Sequence, residues 1–141
     1  MIIHQLSVFL ENRAGRLAKA LSVIGSEKIK IIALSVADTS DFGILRMIVS
    51  NAERAKTLLK ENSFSANITD VIAVNTNSEA KYYSEVLGIL SDIDISVEYT
   101  YAFKKNGDSV IILQCDDNQK AIKALTNNNI SLMKAEDIYS I

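Results

Sequence analysis

Proline is absent from the 141 residues, and only five glycines are scattered through them. No Pro/Gly-rich linker therefore divides the chain, and any domains must meet almost directly. A single cysteine, Cys115, excludes an internal disulfide, and a single histidine, His4, excludes a cluster of imidazole ligands. Asp116-Asp117 reads as a solvated turn with too few ligands for a metal. No cofactor or metal is expected. Charge of one sign is also lacking: the net charge of −2 and pI near 5.4 leave no basic face for a nucleic acid. No apolar run approaches the roughly 20 residues that span a bilayer. Met1-Ile2-Ile3-His4-Gln5 has neither the basic start nor the apolar stretch of a signal peptide. The expectation is a cytoplasmic protein that binds neither nucleic acid nor membrane.

What is present is an ordinary globular balance, 48% hydrophobic and 23% charged, arranged in short periodic runs. Leu6, Val8 and Leu10 alternate as one face of a strand. Leu17, Ala18, Leu21 and Ile24 then recur at helical spacing. Ile29 to Ala37 is a second strand, whose later part has apolar or small residues on both faces and so predicts burial on both sides. Asp38-Thr39-Ser40-Asp41 is a turn, and Phe42 to Val49 returns as a third strand. Asn51 caps a helix whose buried stripe is Ala55, Leu58 and Leu59. Phe64 to Ile68 makes a short fourth strand.

The pattern then starts again. Val71 to Val74 is a strand; Tyr83, Val86, Leu87 and Leu90 form a helical stripe; Ile95 to Phe103 is a long strand ending at the hairpin signal Asn106-Gly107. Val110 to Leu113, a helix through Ala121 and Leu125, and Ile130 to Met133 close the second copy. Leu21 and Leu87, Ile29 and Ile95, Ala55 and Ala121, and Leu59 and Leu125 are all separated by the same 66 positions. This internal duplication is the strongest organising signal in the chain. It predicts an α+β protein of two tandem βαββαβ, ferredoxin-like units with antiparallel sheets, at residues 1–70 and 71–141. Units this small sit near the limit of what one core supports.

The connection Asn12-Arg13-Ala14-Gly15 between the first strand and helix offers binding chemistry. A helix N-terminus presents unpaired N–H groups and partial positive charge to a carboxylate. Glycine permits a backbone conformation and a close approach that other residues obstruct. Asn12 offers a donor and an acceptor, either to a ligand or as a helix cap. Arg13 and Arg16 add positive charge.

The duplicated βαββαβ order, the acidic-or-amide, x, x, Gly turn and the long second strand resemble the ACT-domain family over the whole chain, and above all its small bacterial tandem members. Asn12 stands where that family often has Asp, Ala14 where it often has Pro, and Gly15 at its glycine. The resemblance implies a non-enzymatic regulator or sensor of amino-acid metabolism. A free amino acid or similar small effector would be held at an interface between ACT units, with a homodimer as the expected assembly. The implied ligand-binding set is Leu10, Glu11, Asn12, Arg13, Ala14, Gly15, Arg16 and Leu17, with Ala37, Asp38 and Thr39 from the end of the second strand. In the second copy the aligned turn is Ser78-Glu79-Ala80-Lys81, with lysine at the glycine position, so one main site per chain is expected. The enzyme or pathway regulated leaves no trace in the sequence.

Two other classes fit the topology. Acylphosphatases share a ferredoxin-like fold and hold an anion near the first strand–helix turn with Arg and Asn, and a purely structural interaction module would need no ligand at all. Val97, Tyr99, Tyr101 and Phe103 share one strand face, which would suit RNA bases in a basic protein. In this acidic one they are expected to pack against the other unit or another chain. Asp41-Phe42-Gly43 has the letters of a kinase metal motif without any of its companions.

Overall fold

The alternation of Leu6, Val8 and Leu10 builds the first strand, β1 (Ile3–Glu11), in a computed structural model that describes residues 1–38 and 41–141. It is followed by α1 (Arg16–Gly25), β2 (Ile31–Asp38), β3 (Phe42–Val49), α2 (Ala52–Glu61) and β4 (Ser65–Thr76). The chain continues as α3 (Ala80–Asp92), β5 (Val97–Lys105), β6 (Asp108–Cys115), α4 (Asn118–Asn127) and a short α5 (Ala135–Tyr139). Among the described residues this is the expected α+β fold, two ferredoxin-like units with antiparallel strands. The first unit comprises His4–Thr69 with Tyr139–Ile141, and the second Asp70–Ile138 with Met1–Ile3.

In the first unit the strands lie in the order β2-β3-β1-β4. Leu6 and Val8 face Met47 and Leu45 across the β1–β3 ladder, and these four join Ala20, Ile24, Ala55 and Leu59 in one buried cluster. Burying each large side chain of that set contributes about 1.5–3 kcal/mol. Asn51 caps α2 as its sequence predicts, its Oδ1 accepting from the Arg54 N–H at 3.1 Å.

Burial of β2 on both sides does not occur. Leu34 and Val36 are 46% and 45% exposed, and Ala37 is exposed as well. β2 is an edge strand, and the helices pack over β1 and β3 without bringing any β2 residue into the cluster. In α1 the buried residues are Ala20, Val23 and Ile24, while Leu17 and Ala18 face outward. The stripe read from Leu17 and Ala18 is therefore rotated toward Ala20, Val23 and Ile24.

The second unit repeats the plan. Ile72 and Val74 on β4, Ile111 and Leu113 on β6, Val86 and Leu90 on α3, and Ala121 and Leu125 on α4 make its core. Leu87, expected in that stripe, is exposed instead. Asp117 caps α4 by accepting from the Lys120 N–H at 3.0 Å, 66 positions after the Asn51 cap. Asn106 and Gly107, at φ 51° and 88°, form the tight β5–β6 turn with both residues left-handed. The closing strand at Ile130 to Met133 shrinks to one bridge, Val74 to Leu132. Two backbone bonds of 2.9 Å support it, Asn75 N–H to Ser131 O and Met133 N–H to Ala73 O. The segments read as separate strands at 64–68 and 71–74 form the single strand β4. Thr69, one of the two polar residues between them, hydrogen-bonds Ser7 through its hydroxyl at 2.9 Å.

Candidate ligand-binding site

The turn between β1 and α1 is tight. The Arg13 N–H donates to Glu11 O at 2.8 Å, and the Asn12 N–H donates to Asp41 O at 3.3 Å. Gly15 occupies the N-cap at φ 87°, ψ −10°, and no side chain caps the helix. Asn12 therefore does not cap α1, in contrast to Asn51 on α2. The first N–H groups of an α-helix have no intrahelical acceptor, so α1 opens with donors that its own side chains leave uncovered. A Cβ on Gly15 would meet nothing within 4 Å. The glycine is there for its left-handed conformation rather than for space.

Register carries the far end of β2 to this turn. Leu10 pairs with Gly43 on β3, and Gly43 pairs with Asp38 on β2, so three strand ends lie abreast. They bound a cavity of about 230 Å³ lined by Leu10, Glu11, Asn12, Arg13, Arg16 and Leu17, together with Val36, Asp38 and Gly43. Ala14, Gly15 and Ala37 shape the backbone around it without lining it, and Thr39 lies outside the described residues. Val36 and Gly43 have no signal in the sequence, because only the register brings them to the turn. Asp38 lines the same cavity as Asn12 within one unit, with no need of a neighbour.

The charges of the cavity are unequal in their engagement. Arg13 Nε pairs with Glu11 Oε2 at 3.1 Å. The Arg16 guanidinium lies over the Phe64 ring, 4.2 Å from its centroid, and its buried Nε has no hydrogen-bond partner among the described residues. Arg16 also lines a second cavity of about 190 Å³ with Phe9, Phe42 and Phe64.

The second unit supplies an internal control. Tyr83 stands in place of Leu17 and Ser109 in place of Gly43, and their hydroxyls are 3.1 Å apart in a hydrogen bond. Lys104 replaces Asp38 and donates through Nζ to the Oγ of Ser78, the counterpart of Asn12, at 3.0 Å. The position that is open in the first unit is thus crossed by the second unit's own side chains, while α3 likewise begins without a side-chain cap and a cavity of about 210 Å³ lies beside its turn, lined by Asn75, Thr76, Asn77, Tyr82 and Asp108. Its turn also differs: the left-handed residue is Ser78, and side chains tie the backbone, Thr76 Oγ1 accepting from Ser78 N–H and Asn77 Oδ1 from Glu79 N–H.

Residues 1–141 match the family described as an ACT domain pair. The chain belongs to that family. Protein BT0572 from Bacteroides thetaiotaomicron superposes with a TM-score of 0.93 at 38% identity, over 100% of this chain and 98% of that one. The regulatory subunit of aspartate kinase from Thermus thermophilus, in ligand-free form, superposes with a TM-score of 0.62 at 12% identity, over 88% and 91% of the two chains. The same subunit from Thermus flavus gives 0.59 at 12% identity, over 90% and 93%. At such identity the two kinase subunits show a shared fold. No curated protein matches the chain.

Among the described residues of this ACT pair no three His, Cys, Asp or Glu side chains gather as metal ligands, and no helix is long and apolar enough to cross a membrane. Cys115 is buried, and burial, reinforced by Asp116 and then Glu98, pushes its thiol pKa up to about 11.

Proposed function

We propose that this ACT pair is a non-enzymatic amino-acid sensor that holds one ligand per chain in the first-unit cavity. The observation that carries the reading is the asymmetry between the copies: the first leaves Leu17, Gly43, Asp38 and Asn12 lining a cavity, and the second ties the equivalent positions together through Tyr83 with Ser109 and Lys104 with Ser78. The ligand's carboxylate is received by the α1 start and Arg16, and its ammonium group by Asp38. A cavity of about 230 Å³ falls below the roughly 300–1,000 Å³ of sites for drug-sized molecules, which suits a free amino acid.

Regulation follows from the edge of the sheet. β2 leaves Leu34 and Val36 exposed beside the cavity, and an unpaired edge strand of this kind invites a second chain. In a homodimer that covers this edge, the ligand stabilises whichever arrangement completes its pocket and shifts the population toward it. The regulated partner is an enzyme of amino-acid metabolism, and the sensor itself performs no turnover.

The test is a thermal-shift screen of the free amino acids against the intact chain, with calorimetry on any hit. A ligand at a hundred times its Kd stabilises by about 2.7 kcal/mol, a shift of several degrees at this size. One bound ligand per chain, lost in Asp38→Asn and Arg16→Gln, supports the reading. No binding by any amino acid sinks it.

A further inference from the structure

We propose that the first-unit cavity selects amino acids with an uncharged aliphatic side chain. This rests on the reading above and narrows it to a ligand class. Four charged side chains line the cavity, and two of them, Arg13 and Glu11, pair with each other. Arg16 and Asp38 remain as one cation and one anion, which matches the two charges of an amino-acid backbone and leaves nothing for a third. A charged ligand side chain would have to surrender hydration without gaining a counter-ion, an unfavourable exchange in a partly enclosed site.

Apart from Asn12 and Gly43, the remaining wall is apolar. Leu10, Leu17 and Val36 come from three different elements, β1, α1 and β2, and converge on the same space. Leu17 and Val36 are 36% and 45% exposed, so covering them gives the ligand a hydrophobic gain that neither residue obtains from the core. The counterparts in the filled copy are Thr76, Tyr83 and Ala102. The larger aliphatic side chains are thus present in the copy with the opening and replaced in the copy whose opening is crossed. Aromatic surface, in contrast, is gathered in the neighbouring cavity with Phe9, Phe42 and Phe64.

Calorimetry on the intact chain with glycine, valine, leucine, lysine and glutamate decides the matter. Valine or leucine should bind roughly tenfold or more tightly than glycine, the span that one or two buried methylenes supply, and lysine and glutamate more weakly than either. Leu17→Ser should weaken the aliphatic ligand about tenfold, a larger loss than it causes for glycine. Tightest binding by lysine or glutamate overturns the selectivity and leaves an amino-acid sensor standing. An aliphatic ligand whose affinity is indifferent to Leu17→Ser places its side chain elsewhere and overturns the inference too. Failure of all five, together with the rest of the amino acids, removes both readings at once.

Discussion

Tyr83 and Ser109 join hydroxyls at 3.1 Å at the position where the other half of the chain has Leu17 and Gly43 facing a cavity. A duplicated fold here carries both an open and a closed form of one place. The strand register beneath them is shared, Asp38 pairing with Gly43 and Lys104 with Ser109, so the difference lies in the side chains and in the turn that opens each helix.

Grafting the closed form onto the first unit is therefore a direct probe of the site. Leu17→Tyr combined with Gly43→Ser should reduce amino-acid binding at least tenfold without unfolding the protein. A Cβ on Gly43 meets Ala37 O and Leu10 Cβ at 3.8 Å, an ordinary contact, and Leu17 lies outside the core cluster. Calorimetry measures the loss and circular dichroism the retained fold. Unchanged affinity in a folded double variant would show that the cavity is not where the ligand sits.

Two glycines should respond to the same substitution with opposite signs. Gly15 is held at φ 87° with open space around its α-carbon. Gly15→Ala meets no clash and pays only for the left-handed backbone, about 1–2 kcal/mol. Gly88 lies inside α3, also with nothing within 4 Å, and Gly88→Ala should stabilise by about 0.5–1 kcal/mol through helix propensity. Urea unfolding of the two variants measures both. A neutral Gly15→Ala would mean that the turn relaxes to another conformation at little cost.

The architecture was legible in the sequence because a duplication repeats its own constraints. Asn51 and Asp117 cap corresponding helices, and Leu59 and Leu125 are both fully buried. Periodicity reports which residues are apolar, but not what covers them. Leu34 and Val36 read as core and lie at an open edge, and Leu17 reads as core and lines a cavity. The polar residues between Ile68 and Val71 read as a break, yet an extended backbone needs only partners, so β4 runs straight through. Of the candidate site, the turn from Leu10 to Leu17 and the carboxylate of Asp38 were visible as chemistry. Val36 and Gly43 were not, since their place is set by pairing between strands that sequence spacing does not encode. The short α5 carries too few residues for any periodic signal.

The two capped helices give a prediction about stability alone. Asn51→Ala and Asp117→Ala each remove an acceptor from one N–H of the first turn, at 3.1 and 3.0 Å. Each should cost about 1 kcal/mol in chemical denaturation. Neither should alter ligand affinity, because α2 and α4 begin away from the cavity residues. A loss of binding in the Asn51→Ala variant would tie α2 to the site in a way its contacts do not suggest.

Cys115 closes β6 in a buried position, and its thiol is pushed up to about 11 from the ordinary 9.0, first by burial and then by Asp116 and Glu98. Because the thiolate is the reactive species, the native protein should resist iodoacetamide at pH 8, reacting roughly a hundredfold more slowly than in urea. The same shift makes the folded state sensitive to alkali. The folded pKa lies above the unfolded one, so the unfolded chain loses its proton first as pH rises. Stability from this group is intact below about pH 9 and falls away as pH climbs through about 11. Cys115→Ala should flatten that part of the stability profile, measured by urea titrations at pH 8, 9.5 and 11 and compared with the unaltered chain. Equal alkylation rates in native and denatured protein would show that the β6 end opens readily, and that burial does not hold the thiol neutral.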